Sequence, residues 1–301
     1  MPRLSVILPV RNGEDTIARA VSSTKRALPK DAEIVILDDG STDSTPFILH
    51  SLECPTVRVI TSPASGGIST ALNTLIERTD SQFIARMDAD DVTLPGRFGY
   101  QRRNISRGAA VNFTTVLEWR PDSARVSPAA PLPISARAFP YHLLMTNPVS
   151  HPTLFASRDA LVRVGGYRQV PAEDYDLWLR LAIEGIGIRR LALPTLLYRV
   201  HPDQVTSSLE WRHGSWTDPI VAEAFGGLSA LLLGRSFTRL VSLGFNSAIG
   251  PEEFEQTLAD FAVRLECAIA LLPAWDRRIL MRRLAKRCEA VRAMRAVESG
   301  V

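Results

Sequence analysis

Phe83-Ile84-Ala85-Arg86-Met87-Asp88-Ala89-Asp90-Asp91 is a short, largely apolar run that ends on three closely spaced carboxylates. Three similar runs precede it. Leu4 to Leu8 ends at Pro9, Ile34 to Leu37 ends at Asp38-Asp39-Gly40, and Val57 to Ile60 is the third. Helical patterns separate them at Glu14 to Leu28, Thr45 to Leu52 and Ile68 to Arg78. Short apolar runs alternating with helices predict βαβ units and a largely parallel sheet covered on both faces. Ser44 is placed to cap the second helix, and Pro46 suits its first turn.

In such sheets ligands collect at the carboxyl ends of the strands. Arg11, Asp38, Asp39, Asp88, Asp90 and Asp91 fall at those ends. Grouped carboxylates repel one another, so a fold that gathers them usually offers a cation or a hydroxyl-rich ligand. Asp88 and Asp90 are two residues apart and point the same way on an extended segment. Mg²⁺ or Mn²⁺ prefers carboxylate oxygens and neutralises a diphosphate. One carboxylate on such a metal and one on a ribose is a workable arrangement. The plainer account is a solvated acidic turn; the second acidic pair, Asp38-Asp39, argues against it. Asp43 or Ser44 can serve as a helix cap while Asp38 and Asp39 remain available to a ligand.

Composition excludes several classes. The chain has 301 residues, 46% of them hydrophobic and 22% charged, an ordinary globular balance with room for one large α/β domain and an appendage. A net charge of +3 is too small to argue for nucleic acid. Cys54, Cys267 and Cys288 lie in no metal-ligand spacing, and a reduced, cytoplasmic protein is the simplest expectation. The apolar stretch Leu228 to Leu243 is broken by Arg235 and Arg239 and is too short to span a bilayer. No G-x-G-x-x-G follows a strand, and no Asp-x-Asp follows the first one.

The ordered set of motifs resembles the family 2 glycosyltransferases. Ser5-Val6-Ile7-Leu8-Pro9-Val10-Arg11-Asn12-Gly13 comes first, then Asp38-Asp39-Gly40-Ser41-Thr42-Asp43, then Ala85 to Asp91 and Leu94-Pro95-Gly96-Arg97-Phe98. His151-Pro152-Thr153-Leu154-Phe155, Val164-Gly165-Gly166-Tyr167-Arg168, Ala172-Glu173-Asp174-Tyr175-Asp176-Leu177-Trp178 and Tyr198-Arg199-Val200-His201 follow. The resemblance implies the GT-A fold, a Rossmann-like, mostly parallel sheet flanked by helices. It also implies an inverting transfer of a sugar from a nucleotide-diphosphate donor, by family frequency a UDP-sugar, to an acceptor hydroxyl. It puts Pro9, Arg11, Asp38, Asp39, Gly67, Asp88 and Ala89 on the nucleotide-sugar, Asp90 and His201 on Mn²⁺ or Mg²⁺, and Asp174 as catalytic base. Where many relatives carry Asn and a basic residue near the diphosphate, this chain has Ser65-Gly66-Gly67-Ile68, whose backbone N–H groups at a helix start offer a substitute.

Glu173-Asp174 opens a predicted helix that runs to about Glu184, near its positive end. Asp176 reads as the structural carboxylate there, Leu177 and Trp178 as core, and His151 as a structural histidine. Two alternatives stay open: a sugar nucleotidyltransferase, and a non-catalytic nucleotide-sugar-binding module. The expected acceptor is a glycan or lipid-linked glycan of polysaccharide or glycoconjugate biosynthesis.

The expected division is a catalytic domain over 1–205 and a helical C-terminal region over 206–301. Ala109 to Pro152 reads as irregular strands and loops. Beyond His213 the pattern is helical, with breaks at Gly226-Gly227 and Gly250-Pro251. Arg277, Arg278, Arg282, Arg283 and Arg287 form a basic stripe. It either docks peripherally on the anionic inner face of a membrane or is a solvated face; the solvated face is the simpler reading.

Overall fold

The computed structural model describes residues 2–106, 108–123, 125–129, 132–201, 209–246 and 248–298. The first elements are β1 (Leu4–Val10), α1 (Ile17–Ala27), β2 (Ala32–Asp39), α2 (Thr45–Leu52), β3 (Val57–Ser62), α3 (Ile68–Glu77) and β4 (Phe83–Arg86). Next come β5 (Val92–Thr93), α4 (Arg97–Arg103), β6 (Val111–Arg120), β7 (Arg125–Ala129), α5 (Phe139–Leu143), β8 (Phe155–Ser157), α6 (Arg158–Arg163), α7 (Glu173–Ile183) and β9 (Ile188–Arg199). The chain continues through α8 (Leu209–Thr217), α9 (Pro219–Leu233), α10 (Leu240–Phe245), α11 (Pro251–Ala268) and α12 (Ala274–Glu298).

These elements form two compact units. One comprises Met1–Pro133, Val149–Gln169 and Ile186–Gln204; the other comprises Ile134–Pro148, Val170–Gly185 and Val205–Val301. The expected boundary between residues 205 and 206 falls outside the described residues.

The first unit is built on a sheet of order β3-β2-β1-β4-β8-β6-β9-β5, with β7 paired to β6. β1, β2, β3 and β4 are parallel, as the alternation of runs and helices predicts. All seven residues of β1 are buried. Burying each Val, Leu or Ile there contributes about 1.5–3 kcal/mol, which explains why the run is continuously apolar rather than alternating. Strand order reverses at β1, with β2 on one side and β4 on the other. A crevice at the carboxyl ends is the geometric consequence. The remaining sheet is mixed: β8 is antiparallel to β4 and β6, and β6 is parallel to β9.

Two local expectations are refined. Ala109 to Pro152, read as irregular strands and loops, contains a ten-residue strand inside the sheet, β6, whose register on β9 shifts between Phe113 and Leu117. Its Asn112, Thr114 and Thr115 are buried, which hides the strand pattern, and each is satisfied by a hydrogen bond. Asn112 donates to the Gln101 carbonyl at 3.0 Å, Thr114 meets Thr195 at 2.7 Å, and Thr115 donates to the Ala192 carbonyl at 2.9 Å. Ser44 caps α2 without a side-chain hydrogen bond; the Asp43 carboxylate accepts from the Thr45 N–H at 2.9 Å instead.

In the second unit, α7 buries Tyr175 through Ala182 and packs on α9. Leu177 and Trp178 are fully buried, and Asp176 bonds Arg180 at 2.8 Å one turn on. The expected break at Gly226-Gly227 is absent, since α9 runs through both residues. A methyl on Gly226 would lie 2.8 Å from Ser236 Oγ, and one on Gly227 would lie 3.5 Å from Ile183 Cδ1. Close packing on Ser236 accounts for Gly226; the Gly227 distance is an ordinary contact. The helix stops at Gly234, in the left-handed conformation that glycine adopts without a Cβ penalty. Gly250 and Pro251 do open α11, as the Gly-Pro break implies. Among the described residues no helix is long and apolar enough to cross a membrane.

In the first unit, Asn73 of α3 pairs with the Tyr167 backbone, donating to its carbonyl at 2.8 Å and accepting from its N–H at 2.9 Å. Gly166 has φ +67°, and a methyl there would lie 2.5 Å from Asn73 Oδ1. Gly166→Ala is expected to cost about 2 kcal/mol of stability, seen as a lower Tm by scanning calorimetry. An unchanged Tm would mean that the pairing yields freely.

Candidate active site

The parallel strands deliver their loops to one edge, and those loops are laced together. Asn12, in the left-handed conformation at φ 52°, accepts from Thr42 N–H at 2.8 Å and donates its own N–H to Ser41 Oγ at 2.9 Å. The Gly13 N–H donates to Thr45 Oγ1 at 2.8 Å. Glu14 N–H donates to Asp43, and Ser44 N–H donates to Glu14. The loops after β1 and β2 therefore move as one body. Pro9 is buried at the end of β1, and Arg11 is exposed beyond it.

At the end of β2, Asp38 accepts from the Ser41 N–H at 3.0 Å. Asp39 reaches across to the start of α3. It accepts from Ser65 Oγ at 2.6 Å, Gly66 N–H at 2.8 Å and Gly67 N–H at 3.1 Å. Gly40 makes this possible: its φ is +72°, and a methyl there would sit 2.9 Å from the Ser65 nitrogen. The structure thus joins Asp39 and Gly67 directly. Ala89 neighbours the first loop, where a methyl on Gly13 would lie 3.8 Å from Ala89 Cβ.

The acidic loop after β4 is organised by β5. This two-residue strand is antiparallel to β9, pairing Val92 with Leu197 and Thr93 with Leu196. Residues just before Val92 consequently meet residues just after Leu197. Asp91 accepts from the Arg199 N–H at 2.9 Å. His201 Nε2 lies 3.3 Å from Asp90 Oδ2, with the two side chains 27% and 30% exposed, open enough for a cation to reach. Asp88 is bonded by Arg86 at 2.9 Å. Among the described residues no group of three or more His, Cys, Asp or Glu is arranged to hold a metal. The Asp90 carboxylate is the oxygen donor that Mn²⁺ and Mg²⁺ prefer, whereas the His201 imidazole is a softer donor that Mg²⁺ does not favour.

The same cluster perturbs its members. Burial, then the neighbouring Asp88 and Asp90, hold the Asp91 carboxyl well above the ordinary range. Burial, then the carboxylates Asp88, Asp91 and Asp90, raise the Tyr198 phenol. Beneath them lies Arg97, fully buried. It donates to the carbonyls of Arg86 at 2.7 Å and Pro152 at 2.5 Å, and to Gln101 at 3.1 Å. Burial lowers its pKa to about 10, with Asp91 and Asp88 acting in the opposite direction.

Asp174 belongs to the second unit. Its Oδ2 accepts from Asn147 at 2.7 Å and its Oδ1 from the Tyr175 N–H at 2.6 Å, so its orientation is fixed from two sides. His151, in the first unit, bonds the Tyr167 hydroxyl at 2.8 Å and lies against its ring. The scaffolding roles of Arg199 and Arg97 escape sequence reasoning, because one depends on the β5–β9 register and the other on the carbonyls of Arg86 and Pro152.

The family model described as Glycosyl transferase family 2 matches residues 5–161. The chain belongs to this family. EpsE of Bacillus subtilis (strain 168) is 30% identical over 215 residues, 67% of this chain and 74% of that protein. The O-antigen biosynthesis glycosyltransferase WbnJ of Escherichia coli is 28% identical over 209 residues, 66% of this chain and 80% of that protein. The crystal structure of S. aureus TarS 1-349 in complex with UDP-GlcNAc is similar in fold, with a TM-score of 0.61 at 19% identity, covering 100% of this chain and 92% of that one. This glycosyltransferase therefore has the mixed, helix-flanked GT-A sheet that the strand pattern and the resemblance imply.

Because Arg97 supplies positive charge under two carboxylates and satisfies two buried carbonyls, Arg97→Met should cost about 3–5 kcal/mol. Urea unfolding measures this; a loss below about 1 kcal/mol would mean that the acidic loop needs no counter-charge.

Proposed function

We propose that this glycosyltransferase transfers a sugar, with inversion, from a UDP-sugar to the hydroxyl of a glycan or lipid-linked glycan in polysaccharide or glycoconjugate biosynthesis. The observation that carries the reading is the cluster of Asp88, Asp90, Asp91 and His201 at the carboxyl edge of the sheet, beside the loops that end β1 and β2. The donor class is supported by the UDP-GlcNAc held by the TarS structure of similar fold. The biosynthetic setting is supported by the name of WbnJ.

In this reading Pro9, Arg11, Asp38 and Asp39 bind the base and ribose, Asp88 and Ala89 border the ribose and sugar, and the N–H groups around Gly67 face the diphosphate. Asp90 and His201 hold Mn²⁺ or Mg²⁺, which supplies Lewis-acid stabilisation of the leaving diphosphate when bound. Asp174 accepts the proton of the attacking hydroxyl. Its bonds from Asn147 and the Tyr175 N–H hold the carboxylate in one orientation, as a positioned base requires. A peripheral contact with an anionic membrane face is supported by exposed Leu271 and Trp275 beside exposed Arg277, Arg278 and Arg282.

Asp174→Asn is expected to lower kcat by about 10²–10⁴-fold and leave the donor KM nearly unchanged; steady-state transfer assays with a UDP-sugar panel measure both. Near-normal turnover would remove Asp174 from the base role. Asp90→Asn and His201→Ala should each raise the Mn²⁺ concentration for half-maximal donor hydrolysis by about 10-fold or more. An unchanged metal titration for both would exclude them as metal ligands.

A further inference from the structure

The arginine stripe of α12 is not a single solvated face. Arg277, Arg278 and Arg282 are exposed, whereas Arg283 and Arg287 are half-buried. Arg283 bonds His142 at 3.3 Å. Arg287 instead lines a cavity of about 60 Å³ within the second unit, together with Arg239 at the head of α10, Tyr175 of α7, Trp216 of α8, Phe225 of α9 and Leu240 of α10. No carboxylate is among its lining residues. Other arginines of this unit have acidic partners: Arg235 and Arg264 bond Asp260, and Arg292 bonds Glu255.

The cavity walls are held in place. Arg239 lies over the Tyr175 ring, with its guanidinium carbon 4.7 Å from the ring centre, and donates to the Ser215 carbonyl. The Tyr175 hydroxyl is fixed by donation to the Leu143 carbonyl at 2.5 Å. Trp216 is stacked on Phe245 at 5.1 Å between ring centres. Arg287 makes no hydrogen bond or ion pair among the described residues. Burial weakens its hold on its proton; Tyr175 acts next, in the opposite direction, and the charge of Arg239 adds a smaller lowering.

Two guanidinium groups drawn out of water without an anion are costly, and each has N–H donors shaped for oxyanions. A phosphoryl group carries about −1.5 to −2 charge near neutral pH, matching two cations; a carboxylate would leave one unbalanced. The volume holds about four or five waters, the scale of a phosphoryl group. We propose that Arg239 and Arg287 form an oxyanion site that binds a phosphoryl group, either free phosphate or the phosphate of a lipid-linked molecule. The site uses no residue of the acidic cluster or of the metal pair; its one link to the proposed transfer chemistry is Tyr175, whose backbone N–H donates to Asp174.

Calorimetric titration of inorganic phosphate tests it, using the full-length protein in chloride buffer. Wild type and Asp90→Asn should bind phosphate equally. Arg287→Met should bind about 10-fold or more weakly, and Arg287→Lys should fall between. Phosphate should also change tryptophan fluorescence in the wild type, with the change lost in Trp216→Phe; this readout leaves both arginines in place should Arg287→Met fail to fold. Farnesyl phosphate binding more tightly than inorganic phosphate identifies a lipid-linked source, and equal affinity identifies the free ion. The proposal is overturned if wild type shows no saturable phosphate binding, if Arg287→Met binds as wild type does, or if Asp90→Asn abolishes binding.

Discussion

The acidic loop can exist as a compact cluster because positive charge is built underneath it. Asp88, Asp90 and Asp91 lie within four consecutive residues, and like charges so close oppose folding unless something neutralises them. Arg97 is the buried part of the answer, and Arg86 the part in direct contact with Asp88. The guanidinium of Arg97 also ties the end of β4 to the segment before β8, through the Arg86 and Pro152 carbonyls. One side chain therefore fixes the charge balance and the backbone path of the loop at once. Asp91 is buried, whereas Asp88, Asp90 and His201 keep a quarter or more of their side chains exposed.

A second constraint is topological. The reversal of strand order at β1 opens the carboxyl edge, and the parallel register delivers the loops of β1, β2 and β4 to it. The family's motifs fall on those loops for that reason: a ligand can be approached there by short turns from several strands without disturbing the core. Asn12, Ser41, Thr42, Asp43 and Thr45 spend their polar groups on joining two of the turns. The turns after β1 and β2 are thus joined by side-chain hydrogen bonds in the protein alone.

Much of this was legible in the sequence, and the unreadable parts share a cause. β1, β2 and β4 are buried along almost their whole length and announce themselves as largely apolar runs ending in polar residues, while the edge strand β3 alternates more. β6 is equally internal, yet Asn112, Thr114 and Thr115 interrupt its pattern, and only tertiary partners reveal why buried polar groups are tolerated there. β5 is two residues long and carries no periodicity, although it brings Asp91 and Asp90 to Arg199 and His201. Gly226-Gly227 looked like punctuation because glycine usually is; the close approach of Ser236 to Gly226 is what local reading cannot see. The basic stripe of α12 likewise read as uniform, since a count of arginines does not tell inward from outward turns of a helix.

Asp39 has a consequence of its own. An ionised carboxylate offers about four acceptor positions, and three are taken by Ser65, Gly66 and Gly67, two of them on Oδ2. One vacancy is left, on Oδ1. Asp39 can thus read a single N–H or O–H of whatever binds beside it and cannot chelate a pair of adjacent hydroxyls. Its discrimination between ligands is that of a one-point probe.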